Sequence, residues 1–128
     1  MNVDELVAAA AAAREQAYAP YSGFKVGAAL LTEKGQVYTG ANVENASYGL
    51  TVCAERIAVF KAVTSGEKNF TTLALVGSGQ GYIFPCGACL QVLAEFAPVI
   101  KVIITDEKRQ RKEYNLNEML PRHFVLPT

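Results

Sequence analysis

Hydrophobic positions along the chain fall into short blocks whose spacing changes from helical to strand-like and back. Asn2, with Glu5 three residues on, has the form of a capping box ahead of an Ala-rich stretch, and predicts a helix from about Val3 to Tyr18. The alanines read as a face for close packing. Ala19-Pro20-Tyr21-Ser22-Gly23 breaks that helix. Val26–Thr32 is apolar and strand-like, Lys34-Gly35 is a hairpin turn, and Val37–Val43 returns as a second strand. The polar stretch Asn42–Thr51 reads as a loop. A second helix runs from about Cys53 to Val63, with Gly66 just past its end. Thr72–Gly77 is a buried strand by composition, and Ser78–Phe84 is a Gly-rich loop. Pro85 suits the start of a third helix reaching about Phe96. Val99–Thr105, the most β-branched segment, reads as a central strand. Lys112–Leu116 is a weaker fifth strand, Asn117–Leu120 a short last helix, and Pro121–Thr128 a tail.

The order α-β-β-α-β-α-β-β-α predicts an α/β fold, a three-layer α/β/α sandwich on a mixed five-stranded sheet. Strands joined through crossover helices are expected as parallel neighbours, and the first pair as a hairpin. The 128 residues fit a single domain, 1–128. A chain of this length buries roughly two-thirds of the surface it exposes unfolded, enough for a core without disulfide staples.

Composition narrows the partners. Twelve basic residues balance twelve acidic ones, so the cationic stripe that a polynucleotide binder needs is missing. The one basic cluster, Lys108, Arg109, Arg111 and Lys112, is broken by Gln110 and flanked by Asp106, Glu107 and Glu113. It reads as a solvated turn or edge strand. Asp4 and Glu5 stand where a signal peptide would be positive, and the Leu6–Ala13 run is far shorter than a membrane span. A soluble cytoplasmic protein is expected, with no membrane and no nucleic-acid partner.

The candidate chemistry lies in three cysteines, set as Cys53-Ala54-Glu55 and Pro85-Cys86-Gly87-Ala88-Cys89. An odd number argues against a closed disulfide framework and for a reducing compartment. Three thiolates hold one Zn²⁺ and leave its fourth position open, the hallmark of a catalytic rather than a structural site. C-x-x-C also fits a redox dithiol, and His123, in the tail, could complete a structural tetrahedron. Cys53 falls at the start of the second predicted helix, and Cys86 and Cys89 at the start of the third. Two helix N-termini would then favour thiolates at one point. Three thiolates on Zn²⁺ leave a net negative charge, which Arg56 is placed to offset. Glu55 sits in an otherwise apolar segment, where burial would raise its pKa toward the range useful for moving a water proton.

These two motifs together resemble the zinc nucleoside deaminases, a superfamily whose signature pairs such ligands with a proton-shuttling Glu. Tyr18-Ala19-Pro20-Tyr21-Ser22, Val26-Gly27-Ala28-Ala29-Leu30, Gly40-Ala41-Asn42-Val43-Glu44-Asn45-Ala46 and Cys53-Ala54-Glu55-Arg56 extend the resemblance to the small tetrameric cytidine deaminases over nearly the whole chain. The resemblance implies hydrolytic attack at C4 of cytidine or deoxycytidine, with Glu55 delivering the water proton to N3 and later protonating the amino group that leaves as ammonia. It implies one zinc per subunit on Cys53, Cys86 and Cys89. It places Phe24 near the base and Asn42 and Glu44 on the ribose, with Ala54 and the segment Ala46–Tyr48 lining the pocket. It carries Phe124 into a neighbouring subunit's site within a homotetramer. A carboxylate at Glu44 would repel phosphate, which favours nucleosides over nucleotides. Blasticidin-type nucleosides are the alternative substrates, and a noncatalytic zinc protein is the alternative outside the class. Two residues depart from the family pattern. Leu90 replaces the Arg common after the last zinc cysteine, and Phe84 the Ser common before Pro85. With one cation fewer, activity is expected to shift to higher pH, and pH–rate profiles of Leu90→Arg test it.

Overall fold

The computed structural model describes residues 1–127. The first helix, α1 (Val3–Arg14), starts on the expected capping box. Asn2 Oδ1 accepts from Glu5 N at 2.8 Å, and Glu5 Oε1 accepts from Asn2 N at 3.2 Å. It stops four residues short of Tyr18 because the chain there is claimed by tertiary pairing. Tyr18 N donates to Asn42 O at 2.9 Å, and Glu44 N donates to Tyr18 O at 2.8 Å.

The strands are β1 (Val26–Thr32), β2 (Val37–Ala41), β3 (Phe70–Gly77), β4 (Lys101–Thr105) and β5 (Arg111–Asn115), in the sheet order β2-β1-β3-β4-β5. The helices α2 (Ala54–Thr64) and α3 (Gly87–Phe96) link β2 to β3 and β3 to β4, and α4 (Leu116–Met119) follows β5. β3 and β4 are parallel neighbours, as crossover through α3 requires. The crossover through α2 departs from expectation. It joins strands of one direction that are not neighbours, because antiparallel β1 lies between β2 and β3. The basic cluster falls in the β4–β5 turn, where Arg109 has φ 61°, and on the sheet edge at β5.

Period-two alternation divides the strand residues between two layers. Ala28, Leu30, Leu73, Leu75, Val102 and Ile104 pack beneath α2, α3 and α4. Ala29, Ala74, Val76 and Ile103 pack against Leu6, Val7 and Ala10 of α1. Strands buried on both faces read as the unbroken apolar runs seen in the sequence. Two glycines set the layer spacing. A Cβ at Gly27 would lie 2.5 Å from Arg14 N, and one at Gly40 would lie 2.6 Å from Ala58 N. Glycine lets the backbones of α1 and α2 come down onto the sheet. Among the described residues no helix is long and apolar enough to cross a membrane.

Candidate active site

Both α2 and α3 begin on a cysteine. Cys53 and Cys86 are their N-cap residues, in extended conformation, and neither thiol caps its own helix. The thiols are therefore free to turn toward each other, with Cys89, one turn into α3, buried beneath them. Sγ of Cys53 lies 3.9 Å from that of Cys86, and Sγ of Cys86 lies 3.5 Å from that of Cys89. All three sulfurs fall within 4.8 Å of one another, and His123 is not in the group. Zn–S bonds of about 2.3 Å in a tetrahedron put sulfurs about 3.8 Å apart, so this spacing fits a zinc ion with one vertex left over. It is far beyond the ~2.05 Å of a disulfide, and all three cysteines are free.

The electrostatics favour negative charge at this point. The Cys53 thiol is lowered to about 5, chiefly because the Cys89 thiol donates to it, with the Arg56 guanidinium adding to the effect. Cys89, as that donor and through burial, is pushed up. Arg56 Nη2 reaches Cys53 Sγ at 3.6 Å, the contact expected of a cation offsetting thiolate charge. Its Nε is buried with no partner among the described residues. Glu55, in the first turn of α2, is 5% exposed. Burial raises its carboxyl to about 7, and the neighbouring Cys53 charge adds to the shift.

Cys53, Cys86, Ala54 and Glu55 form part of the wall of a cavity of about 270 Å³, closed by Phe24, Asn42 and Phe84 among others. A second cavity, about 420 Å³, adjoins it and is lined by Tyr21, Asn45 and Tyr48. Ser22, Glu44 and Thr51 are common to both. The sequence singled out Phe24, Asn42, Glu44, Tyr48 and Ala54, and all five lie on these walls.

Two of them also hold the fold of the site. Asn42 is 8% exposed, accepts from Val26 N at 2.8 Å and donates to Phe24 O at 2.9 Å. Glu44 Oε1 accepts from Tyr21 N and Ser22 N, each at 3.0 Å, while Oε2 accepts a hydrogen bond from the Ser22 hydroxyl. These donors, Ser22 Oγ foremost, hold the Glu44 carboxyl below the usual range. Ser22 Oγ in turn accepts from Phe24 N at 3.0 Å. Phe24 is thus pinned at its N–H by Ser22 and at its carbonyl by Asn42. One Asn42 amide proton and part of the Glu44 carboxylate remain for a ligand.

One expected pocket residue is not brought in, and Phe124, expected in a neighbouring subunit's site, lies away from its own subunit's cavities. Ala46 is exposed in the turn after Asn45 and lines neither cavity. Phe124 is 64% exposed and lies outside both; Gln91 exchanges hydrogen bonds with its backbone at 3.0 and 3.1 Å. The walls also hold residues to which the sequence assigns no role, Ser22, Thr51 and Ile83 among them. Ser22 lies within the Tyr18–Ser22 motif, whereas Thr51 and Ile83 carry no local sequence signal. The two departures from the family pattern prove to be neighbours. Phe84 and Leu90 line one further cavity with Pro85, Tyr114, Glu118 and Met119, and the Phe84 and Tyr114 rings lie 6.2 Å apart.

A family model described as the cytidine and deoxycytidylate deaminase zinc-binding region matches residues 1–106. The cytidine deaminase of Sporosarcina psychrophila is 49% identical over 97% of this chain and 92% of its own length. That of Halalkalibacterium halodurans is 47% identical over 98% and 96%. Among solved structures, the cytidine deaminase of Burkholderia pseudomallei superposes with a TM-score of 0.93 at 49% identity, covering 97% of this chain and all of that one.

Proposed function

We propose that this chain, which belongs to the cytidine and deoxycytidylate deaminase zinc-binding family, hydrolyses cytidine and deoxycytidine to uridine and deoxyuridine with release of ammonia. The observation that carries this reading is one of geometry. Three sulfurs at tetrahedral spacing lie at the wall of a cavity that also holds a buried carboxyl, Glu55.

Cys53, Cys86 and Cys89 would hold the zinc, and the bound ion supplies a polarised water of lowered pKa beside the base. Glu55 does the proton work. With its carboxyl raised to about 7, it accepts a proton from the attacking water and returns it near neutral pH. It passes that proton to ring N3, then takes the second proton from the oxygen now on C4 and gives it to the amine, so that the C4–N bond breaks, ammonia leaves and C4 becomes a carbonyl. Phe24, fixed through its own backbone, offers a ring to the pyrimidine. Asn42 and Glu44 keep polar groups free for the sugar, and the negative charge of Glu44 disfavours a phosphate there.

We further infer a homotetramer with sites completed across subunit interfaces. Supporting it, Phe124 lies outside its own subunit's cavity, Tyr48 on the cavity wall is 76% exposed and its neighbour Leu50 66% exposed, and Arg56 Nε lacks a partner among the described residues. Ammonia release from cytidine, deoxycytidine, cytidine monophosphate and blasticidin S tests the reading. Turnover of the first two, with little of the others, is expected. Turnover of none, in zinc-replete protein, contradicts it.

A further inference from the structure

Phe24 is backed by two glycines that the backbone does not require. Gly77 ends β3, and Gly79 lies two residues on, in the loop leading to α3. Neither has the positive φ that calls for glycine at Gly23, Gly35, Gly66 and Gly81. What both lack is room beside the Phe24 ring. A Cβ at Gly79 would lie 2.5 Å from Phe24 Cε1 and 3.2 Å from Cδ1. One at Gly77 would lie 3.2 Å from Phe24 Cζ and 3.1 Å from Ile83 Cδ1. Carbons in contact keep about 3.5–4.0 Å apart, so the ring rests against bare backbone at both places.

The backbone of this seat is itself tied down. Ser78 N donates to Lys25 O at 2.9 Å, and Ser78 Oγ accepts from Lys25 N at 2.8 Å. Arg14 Nη1 holds Gly77 O at 3.0 Å, and Gly81 N donates to Glu107 Oε2 at 2.7 Å. A methyl group added at Gly79 therefore moves the ring rather than the loop. Ser22 and Asn42 fix the Phe24 backbone; the glycines fix where its ring can go.

We infer that Gly79 is a positioning residue for the reaction, with Gly77 as the second part of the same seat. Its missing side chain sets the place of the Phe24 ring in the cavity, and so the fit of the pyrimidine base. This rests on the deaminase reading above, in which Phe24 meets the base. The residue touches no substrate and acts through Phe24 alone.

Steady-state kinetics of Gly79→Ala, Phe24→Ala and the double variant test it. Gly79→Ala is expected to raise KM for cytidine roughly threefold to tenfold with kcat within about twofold of wild type, the scale of a misplaced aromatic contact. In the Phe24→Ala background the same change should add nothing, because the ring it displaces is gone. An unchanged KM, or effects that multiply in the double variant, overturns the proposal. A crystal structure of Gly79→Ala reads the seat without any substrate. A Phe24 ring moved by about 1 Å or more supports it, and a ring in place over a shifted loop overturns it. Should wild-type protein fail to deaminate cytidine, the deaminase reading falls and that structure alone decides the seat.

Discussion

The two ends of the cavity are built by different means. At the sulfur end, Cys53, Glu55 and Cys86 hang on the first turns of α2 and α3, and those helices pack on the sheet through Ala58, Leu90 and Leu93. At the end proposed for the sugar, Ser22, Glu44 and Asn42 lie on loop segments and turn much of their hydrogen bonding onto the backbone that carries Phe24. One end is positioned by a buried core, the other by a short relay of side chains that a neighbouring subunit is proposed to complete. Damage to the first should therefore appear in kcat, and damage to the second in KM.

The sharpest contrast comes from Glu55→Gln. It should lower kcat by at least about two orders of magnitude while zinc content and melting temperature hold. A parallel loss of zinc would mean that Glu55 serves the metal site rather than the proton. Phe124→Ala probes the opposite end and the subunit boundary together. A KM for cytidine raised by roughly threefold to tenfold is expected, with kcat little changed. Hybrids of Phe124→Ala and Glu55→Gln subunits should regain some sites of wild-type KM, since an intact Phe124 then serves a neighbour's intact Glu55. Hybrids that show only the parental KM values would place Phe124 in its own subunit's site. Ser22→Ala removes one link of the relay, and KM should rise by about fivefold, near the worth of one hydrogen bond. A loss confined to kcat would erase the distinction between the two ends.

A last effect is read in stability rather than in turnover. The Glu55 carboxyl is raised to about 7 in the fold, above its unfolded value near 4.5. Its contribution is fully present below the unfolded pKa and is lost as pH rises through about 7. In zinc-stripped protein, Glu55→Gln should therefore gain melting temperature over wild type as pH goes from 5 to 8. Parallel pH curves for the two proteins would show that Glu55 titrates in an ordinary, solvated setting.

Much of the sulfur end was legible in the sequence because its signals are local. Cys53-Ala54-Glu55 and the Cys86, Cys89 pair carry ligand chemistry, spacing and helix-start position within a few residues. The sheet was legible in its strands but not in its order. No local pattern tells that β1 inserts between β2 and β3, since that depends on where α2 lands over Gly40. Helix α1 ends at Arg14 rather than Tyr18 for a similar reason, the pairing of Tyr18 with Asn42 and Glu44 across the fold. At the sugar end, Asn42 and Glu44 came from resemblance and not from physics. Their contacts to Phe24, Tyr21 and Ser22 span some twenty residues of chain, which no pattern of periodicity encodes. Leu90 shows the same limit. The sequence marks it as a missing cation, whereas the fold buries it beside Phe84 and Pro85, so the two departures form one apolar lining.

One zinc ion on three sulfurs is proposed to make this cavity a deaminase site. Titrating zinc into metal-stripped protein while following ammonia release from cytidine tests it most directly. Activity should start near zero, rise in proportion to added zinc and level off at one equivalent per chain. Full activity before any zinc is added, or none after one equivalent is bound, would contradict the claim.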